Sequence, residues 1–454
     1  MKVVADLHLH SKYSRAVSPQ MEPQIMAQWA SKKGIDLLGT GDWTHPLWLK
    51  ELESTLKETQ EGVFKIKRPL NLSRPKISNF REPYFILVTE ISSIYSQGNK
   101  LRRIHNLVLA PSFNTVHKIN EELKRRGCNL LSDGRPIIGL SSINLAELVW
   151  SIDDKVMIIP AHCWTPWFAM YGSKSGFDSI EECWGKYADR IYAVETGLSS
   201  DPLMNWRIKE LDCRSIVSFG DSHSPAKLGR EMTVFELEEL TYGNICASLR
   251  SRMKSDTVNR ILYTVEFHPE EGKYHYTGHR NCGVKQSPEE TEKKGATCPV
   301  CGKLLTLGVM HRVAKLADRE QIKPLKKTNE NGVVGYYNPL DKTRLPYIML
   351  VPLIEILSES FNLGTSSIRV QNEYENLTKN LGSELDVLTQ IKVEEIERLV
   401  GVKAAEGIKK VRTGDIVVDP GFDGVFGVVK IWRSGEEGKE EAVLGIKSEQ
   451  ASLF

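Results

Sequence analysis

Seven short apolar runs in the first half of the chain constrain its fold, because each carries a metal-ligand type of side chain at one end. They are VVADLHLH (3–10), IDLLGTGD (35–42), YFILVTE (84–90), HNLVLAP (105–111), VMIIPAH (156–162), IYAVET (191–196) and SIVSFGDSH (215–223). Between runs lie segments such as PQIMAQWASKK, with apolar residues at helical spacing and Gly34 after the last turn as a C-cap. Strand-like runs alternating with helices imply βα units closing on a parallel sheet. In a βα barrel the C-terminal strand ends converge on one face, where active sites form. His8, His10, Asp42, Glu90, His162, Glu195, Asp221 and His223 would then meet around one cavity. His105 precedes its run instead of following it, so its place among the ligands stays open.

The residue types point to cations. His8 and His10, two apart in an extended segment, turn two imidazoles to the same side, and Asp221 with His223 does the same with a carboxylate and an imidazole. Glu90, alone at the end of its strand, suits a carboxylate bridging two ions. Imidazole mixed with carboxylate favours Zn, Mn or Fe over Ca or Mg. Two cations ~4 Å apart would activate water for in-line attack on phosphorus, so no Ser or Cys nucleophile is required.

A second cluster follows residue 255. His279-x2-Cys282 and Cys298-x2-Cys301, fifteen residues apart, have the spacing of a tetrahedral structural zinc site. Sixty Lys+Arg against 58 Asp+Glu leave a net charge of only +2, so a polyanion must be held by local patches. Basic stretches at 100–126 and 308–327 are such patches. Arg312, Lys315, Arg319, Lys326 and Lys327 are candidate phosphate contacts, with Ser366 and Ser367 of GTSS at a helix start.

The HLH, GTGD, Glu90, PAHCWTP and GDSH series resembles the polymerase-and-histidinol-phosphatase (PHP) superfamily of metal-dependent phosphoesterases, over residues 1–250. More narrowly, HSKYSRA, GTGDWTHPLW, ETGLSSDP, the zinc module and GTSS look like the endonuclease Q family, nearly to the C-terminus. The resemblance implies an α/β fold: a distorted βα (PHP-type) barrel with an inserted or appended zinc-binding module and a C-terminal helical plus small β region. It implies two or three divalent ions (Zn, Mn or Mg) in the barrel, one structural Zn, and Asp221, Glu90 and His223 at the catalytic centre. The substrate would be DNA containing damaged bases, nicked 5′ to uracil, hypoxanthine, xanthine or an abasic site. Two departures stand out. Many PHP proteins have TDH where this chain has GDWTHP, which leaves Asp42, His45 or both as ligands, and SKYSRAVS lacks the Asp that often follows the HxH pair.

Domain boundaries are expected near 250 and 325, giving a barrel (1–250), a zinc module (251–325), a C-terminal DNA-binding region (326–446) and a tail (447–454). VEEIERLVGVKAAEGIKKVR has the shape of two short helices around Gly401, and 414–447 reads as short strands. The tail peptide resembles those that engage the replication sliding clamp, through Gln450, Leu453 and Phe454. The absence of an ~18-residue apolar window and of a signal-peptide layout implies no membrane partner and a cytoplasmic, nucleoid-associated protein. A second enzyme reading, a phosphatase acting on a small phosphomonoester, explains the barrel ligands but leaves the zinc module and C-terminal third without a role.

Overall fold

Each of the seven apolar runs overlaps a strand of the computed structural model, which describes residues 1–67, 82–250 and 258–433. In chain order the first strands are β1 (Lys2–Asp6), β2 (Leu37–Gly39), a β3–β4 hairpin (Leu56–Gln60, Val63–Ile66), β5 (Tyr84–Gln97), β6 (Lys100–Ala110), the short β7 (Ile137–Ile138), β8 (Met157–Pro160), β9 (Ala193–Glu195) and β10 (Ser215–Val217). Pairing runs from β1 to β2 to β5 in parallel, then antiparallel through β6 to β8. The Cys163 N–H donates to the Glu195 carbonyl, β9 pairs with β10, and a bridge between Leu9 and Ser222 returns to the end of β1. The strands thus follow one another round a ring. Its inner face is apolar, with Val3, Ala5, Leu37, Ile86, Val88, Leu107, Leu109, Ile159 and Val217 in one buried cluster. Alternate residues, among them Val4, Leu38, Phe85, Leu87, Val108 and Ile158, face a second cluster shared with the surrounding helices. Strands buried on both faces read as continuous apolar runs, which is why the sequence pattern was unbroken.

The strand directions correct the expectation of uniform βα units. Residues 97–100 close a tight hairpin in which Gly98 (φ 59°) and Asn99 (φ 54°) are both left-handed, the geometry that joins twisted antiparallel strands. Because β6 therefore runs antiparallel to β5, its beginning lies where other strands end, and His105 sits opposite Ser92, two residues past Glu90.

The expected domain boundaries also cut across one sheet. β1 pairs with β11 (Met232–Glu236), and β11 with β12 (Arg260–Glu266). After a small β13–β14 hairpin (Thr277–His279, Val284–Gln286) come β15 (Leu325–Thr328), β16 (Val334–Tyr337) and β17 (Tyr347–Met349), and β17 adds in parallel to β12. These strands cover an edge that would otherwise be left unpaired. Five helices between Leu353 and Thr413 follow, then a β18–β19 pair (Val417–Asp419, Val428–Lys430). They dock through a buried ion pair, Lys33 Nζ to Glu384 at 2.7 Å, with Glu384 also accepting from Tyr374 Oη at 2.7 Å. Among the described residues no helix is long and apolar enough to cross a membrane.

Candidate metal centre

Three residues at strand-to-loop junctions hold a left-handed backbone: Asp42 (φ 45°), His162 (φ 29°) and Asp221 (φ 43°). Such conformations cost on the order of 1–3 kcal/mol each in a non-glycine residue and cluster where a site demands them. At these junctions buried side chains gather around Glu90. Its Oε1 lies 2.7 Å from His105 Nδ1, 3.0 Å from His162 Nε2 and 3.6 Å from His8 Nε2. Its Oε2 faces His10 Nε2 at 3.5 Å and accepts from Arg135 Nη1 at 3.0 Å. Asp221 Oδ1 closes the other side, 3.2 Å from His10 Nε2, 3.5 Å from His8 Nε2 and 3.7 Å from His223 Nδ1. Three sets of donor atoms result, each within 4.8 Å: His8, His10 and Glu90; His10, Asp221 and His223; Glu90, His105 and His162.

Asp42 and Glu195 occupy a different position. Glu195 faces the far nitrogen of His8, Nδ1, at 2.9 and 3.0 Å, and accepts the His162 N–H at 2.7 Å. Asp42 Oδ1 faces His10 Nδ1 at 3.1 Å, while its Oδ2 accepts the Ser11 N–H, Ser11 Oγ and Ser14 Oγ at 2.6–2.8 Å. Both carboxylates therefore orient an imidazole from behind. His45 stands outside all three donor sets, its ring stacked on Tyr13 at 4.5 Å.

The donors fit divalent cations. His8 Nε2 is buried with no hydrogen-bond partner while Glu195 engages the opposite nitrogen, so Nε2 is turned toward Glu90 and Asp221. The field agrees. Burial opposes charge on His10, yet Asp42 and Asp221 push its pKa up to about 9, and Glu195 and Asp221 push His8 well above the usual range. Against the same burial, His105 and Arg135 hold Glu90 well below the usual carboxylate range, and His8 and His10 do so for Asp221. Of the two rings nearest Glu90 Oε1, burial takes His105 down to about 4, while for His162 burial is outweighed by Glu90, which raises it.

A cavity of about 710 Å³ opens over these groups, lined by Arg15, Arg103, Arg135, Trp167, Phe168 and Tyr274 among others. Trp167 and Tyr274 meet edge to face at 5.3 Å, and Phe168 lies 4.8 Å from the His105 ring. Arg135 escaped the sequence reading because it sits in a loop after Gly134, away from any strand end. The loop passes so close to the centre that a Cβ on Gly134 would lie 2.4 Å from Asp42 Oδ2.

Away from this centre, His279, Cys282, Cys298 and Cys301 form a fourth donor set, with Cys301 Sγ 3.4 Å from His279 Nδ1. Desolvation opposes the Cys298 thiolate, but the backbone N–H groups of Cys301 and Val300 and the His279 ring bring its pKa down to about 6. These residue types in a tetrahedral-size cluster fit zinc.

Arg312, expected to face DNA, is instead buried and donates to the carbonyls of Tyr171 and Phe177 and to Asp178, all in the loop after β8. Arg319 is paired with Asp212 and donates to the Trp206 carbonyl. Lys315 is exposed, Lys326 and Lys327 lie on β15 over the rings of Tyr336 and Tyr337, and Ser367 caps the helix Ile368–Asn380 beside an exposed Ser366. Gln450, Leu453 and Phe454 lie outside the described residues.

Residues 352–415 match the family described as MJ0043 C-terminal domain. The chain is 33% identical over 270 residues to the uncharacterized Methanocaldococcus jannaschii protein MJ0043, a match spanning 59% of this chain and 31% of that protein. It is 27% identical to the uncharacterized Bacillus subtilis protein YqxK, across 94% of this chain and 99% of that one. Its fold matches the crystal structure of the lesion-specific endonuclease PfuEndoQ from Pyrococcus furiosus with a TM-score of 0.78 and 30% identity, covering 98% of this chain and 100% of that one. The same values hold for an endonuclease Q complex with a 27-mer duplex bearing an abasic lesion at the active site. With 30% identity sustained over the whole length of a solved endonuclease Q, the chain belongs to the endonuclease Q family.

Proposed function

We propose that the chain is a divalent-metal-dependent DNA endonuclease that hydrolyses the phosphodiester 5′ to a deaminated base or abasic site. The observation that carries this reading is Glu90, whose two oxygens face different imidazoles under a cavity lined by three arginines and three aromatic rings. His8, His10, Glu90 and Asp221 would hold cations, with His105 and His162 on one side and His223 on the other. Bound cations supply Lewis acidity and make water a competent nucleophile near neutral pH. Arg15, Arg103 and Arg135 line the cavity as permanent cations suited to a phosphodiester's non-bridging oxygens. Trp167, Phe168 and Tyr274 offer aromatic surface to an extruded base, which is cheapest to unstack where pairing is already weak. Trp164, by contrast, is fully buried against Tyr171 and serves the core.

The test is a labelled duplex with one deoxyuridine or abasic site, incubated with and without chelator, alongside Asp221→Ala. A chelator-sensitive nick beside the lesion, lost in the variant, is expected. Intact DNA with wild-type protein would overturn the reading, and activity confined to phosphomonoesters would favour a phosphatase.

A further inference from the structure

Neighbouring arginines on β6 point to opposite sides of that strand, as strand geometry requires: Arg103 lines the metal cavity, and Arg102 lines a second cavity of about 780 Å³. The wall between them is the 165–178 loop, with Trp167 and Phe168 on one side and Gly172, Ser173 and Lys174 on the other. It is tightly wound. Gly176 N–H donates to the Gly172 carbonyl at 2.9 Å, Phe168 N–H to Ser175 Oγ at 3.2 Å, and a Cβ on Gly176 would lie 2.3 Å from the Gly172 nitrogen.

The second cavity is strongly basic. Lys100, Arg102, Lys174, Arg312 and Lys315 line it against two carboxylates, Asp178 and Glu182. Both acids are already engaged: Asp178 by Arg312 at 2.6 Å, and Glu182 by the Asp178 N–H at 3.1 Å. Arg102 lies over the Phe177 ring at 3.9 Å and Arg312 is buried, so these two form the floor. Lys100, Lys174 and Lys315 are exposed around it and, among the described residues, have no ion-pair partner. Lys100 and Lys315 lie near enough to Asp178 to lower its pKa, yet five cations against two carboxylates leave this concave surface with a net positive charge suited to an extended polyanion.

We propose that this groove binds the phosphodiester backbone of the DNA whose lesion lies at the metal centre, on the other side of the shared wall. Duplex DNA carries one charge per ~1.7 Å of axis, so a duplex seated at the centre brings further phosphates across the adjoining surface. The inference rests on the endonuclease reading and deepens it by assigning the flanking contact.

The experiment compares wild-type protein with a Lys100→Ala/Lys174→Ala/Lys315→Ala variant. Affinity for a lesion-bearing duplex is read by fluorescence anisotropy over a range of salt, in parallel with nicking. Each lost phosphate contact lowers the slope of log K against log salt by ~0.9, so the slope is expected to fall by about 2–3 and Kd to weaken ~10–100-fold. KM for nicking rises accordingly. Removing the same number of charges at Lys50, Lys57 and Lys155, outside the groove, leaves both values at wild type. An unchanged Kd and slope in the groove variant overturns this proposal while wild-type nicking upholds the endonuclease reading. Absence of lesion-directed nicking by the wild type overturns that reading instead, and the binding comparison still decides whether the groove holds DNA.

Discussion

His8 and Glu195 are locked together in the core, the ring's Nδ1 lying 2.9 and 3.0 Å from the two carboxylate oxygens, with both side chains fully buried. With a cation bound at Nε2, this contact would hold the ring proton on Nδ1 and make Nε2 a better donor. Removing such a partner costs about 10–100-fold in metal affinity. Glu195→Gln is expected to weaken divalent-ion binding by that amount, read by calorimetric titration of the metal-free protein. Asp42→Asn should do the same through His10. Wild-type affinity in both would assign these carboxylates to packing alone.

Asp221 and Arg135 touch the centre from different sides and should fail differently. In the proposed mechanism Asp221 holds a cation, and losing that charge should remove several kcal/mol of transition-state stabilisation, at least ~10³-fold in nicking rate for Asp221→Ala. Arg135→Ala keeps the donor sets and should lower kcat ~10²–10³-fold, the range for losing one preorganised donor. An Arg135→Ala enzyme with wild-type kcat would remove the guanidinium from the reaction.

Stability should fall as pH rises from 5 to 8. Glu231 and Glu266 are buried near Thr196 and Ser218, where desolvation and, for Glu231, the charge of Glu266 raise both pKa values; Glu266 reaches about 8. A carboxyl whose folded pKa exceeds its unfolded value stabilises fully below the unfolded pKa. That contribution is lost as pH rises towards the folded pKa, by up to about 1.4 kcal/mol per pH unit and per group. Glu266→Gln, which cannot ionise, is expected to flatten the profile of Tm against pH. Parallel profiles for variant and wild type would show that the carboxyl is ionised throughout.

The His279–Cys282–Cys298–Cys301 set predicts one tightly held ion per chain, separate from the donor sets around Glu90. Cys298→Ser should lower the zinc content by one equivalent in elemental analysis and unfold the knuckle, since the binding energy of such a site is its folding energy. An unchanged metal content would mean that the four residues pack without zinc.

Much of this protein was legible in the sequence because its strands are buried on both faces. Such strands write themselves as unbroken apolar runs, and each of the seven runs overlaps a strand. The side chains at their ends could be named, and so could the Cys and His of the knuckle, because ligand chemistry restricts residue type. The sequence also held a Gly98-Asn99 pair whose hairpin reverses β6, a local signal that went unread among the apolar runs.

Only the tertiary structure decides how those side chains are arranged. Which nitrogen of an imidazole a carboxylate faces is set by partners far apart in sequence: Glu195 is 187 residues from His8, and Asp42 is 32 from His10. The same holds for Arg135, brought to Glu90 by a loop, and for Arg312, spent on carbonyls 135 and 141 residues away. Residue types and strand periodicity are properties of short segments and survive in one dimension; the direction of a lone pair and the burial of a charge are set by contacts that exist only once the chain has closed on itself.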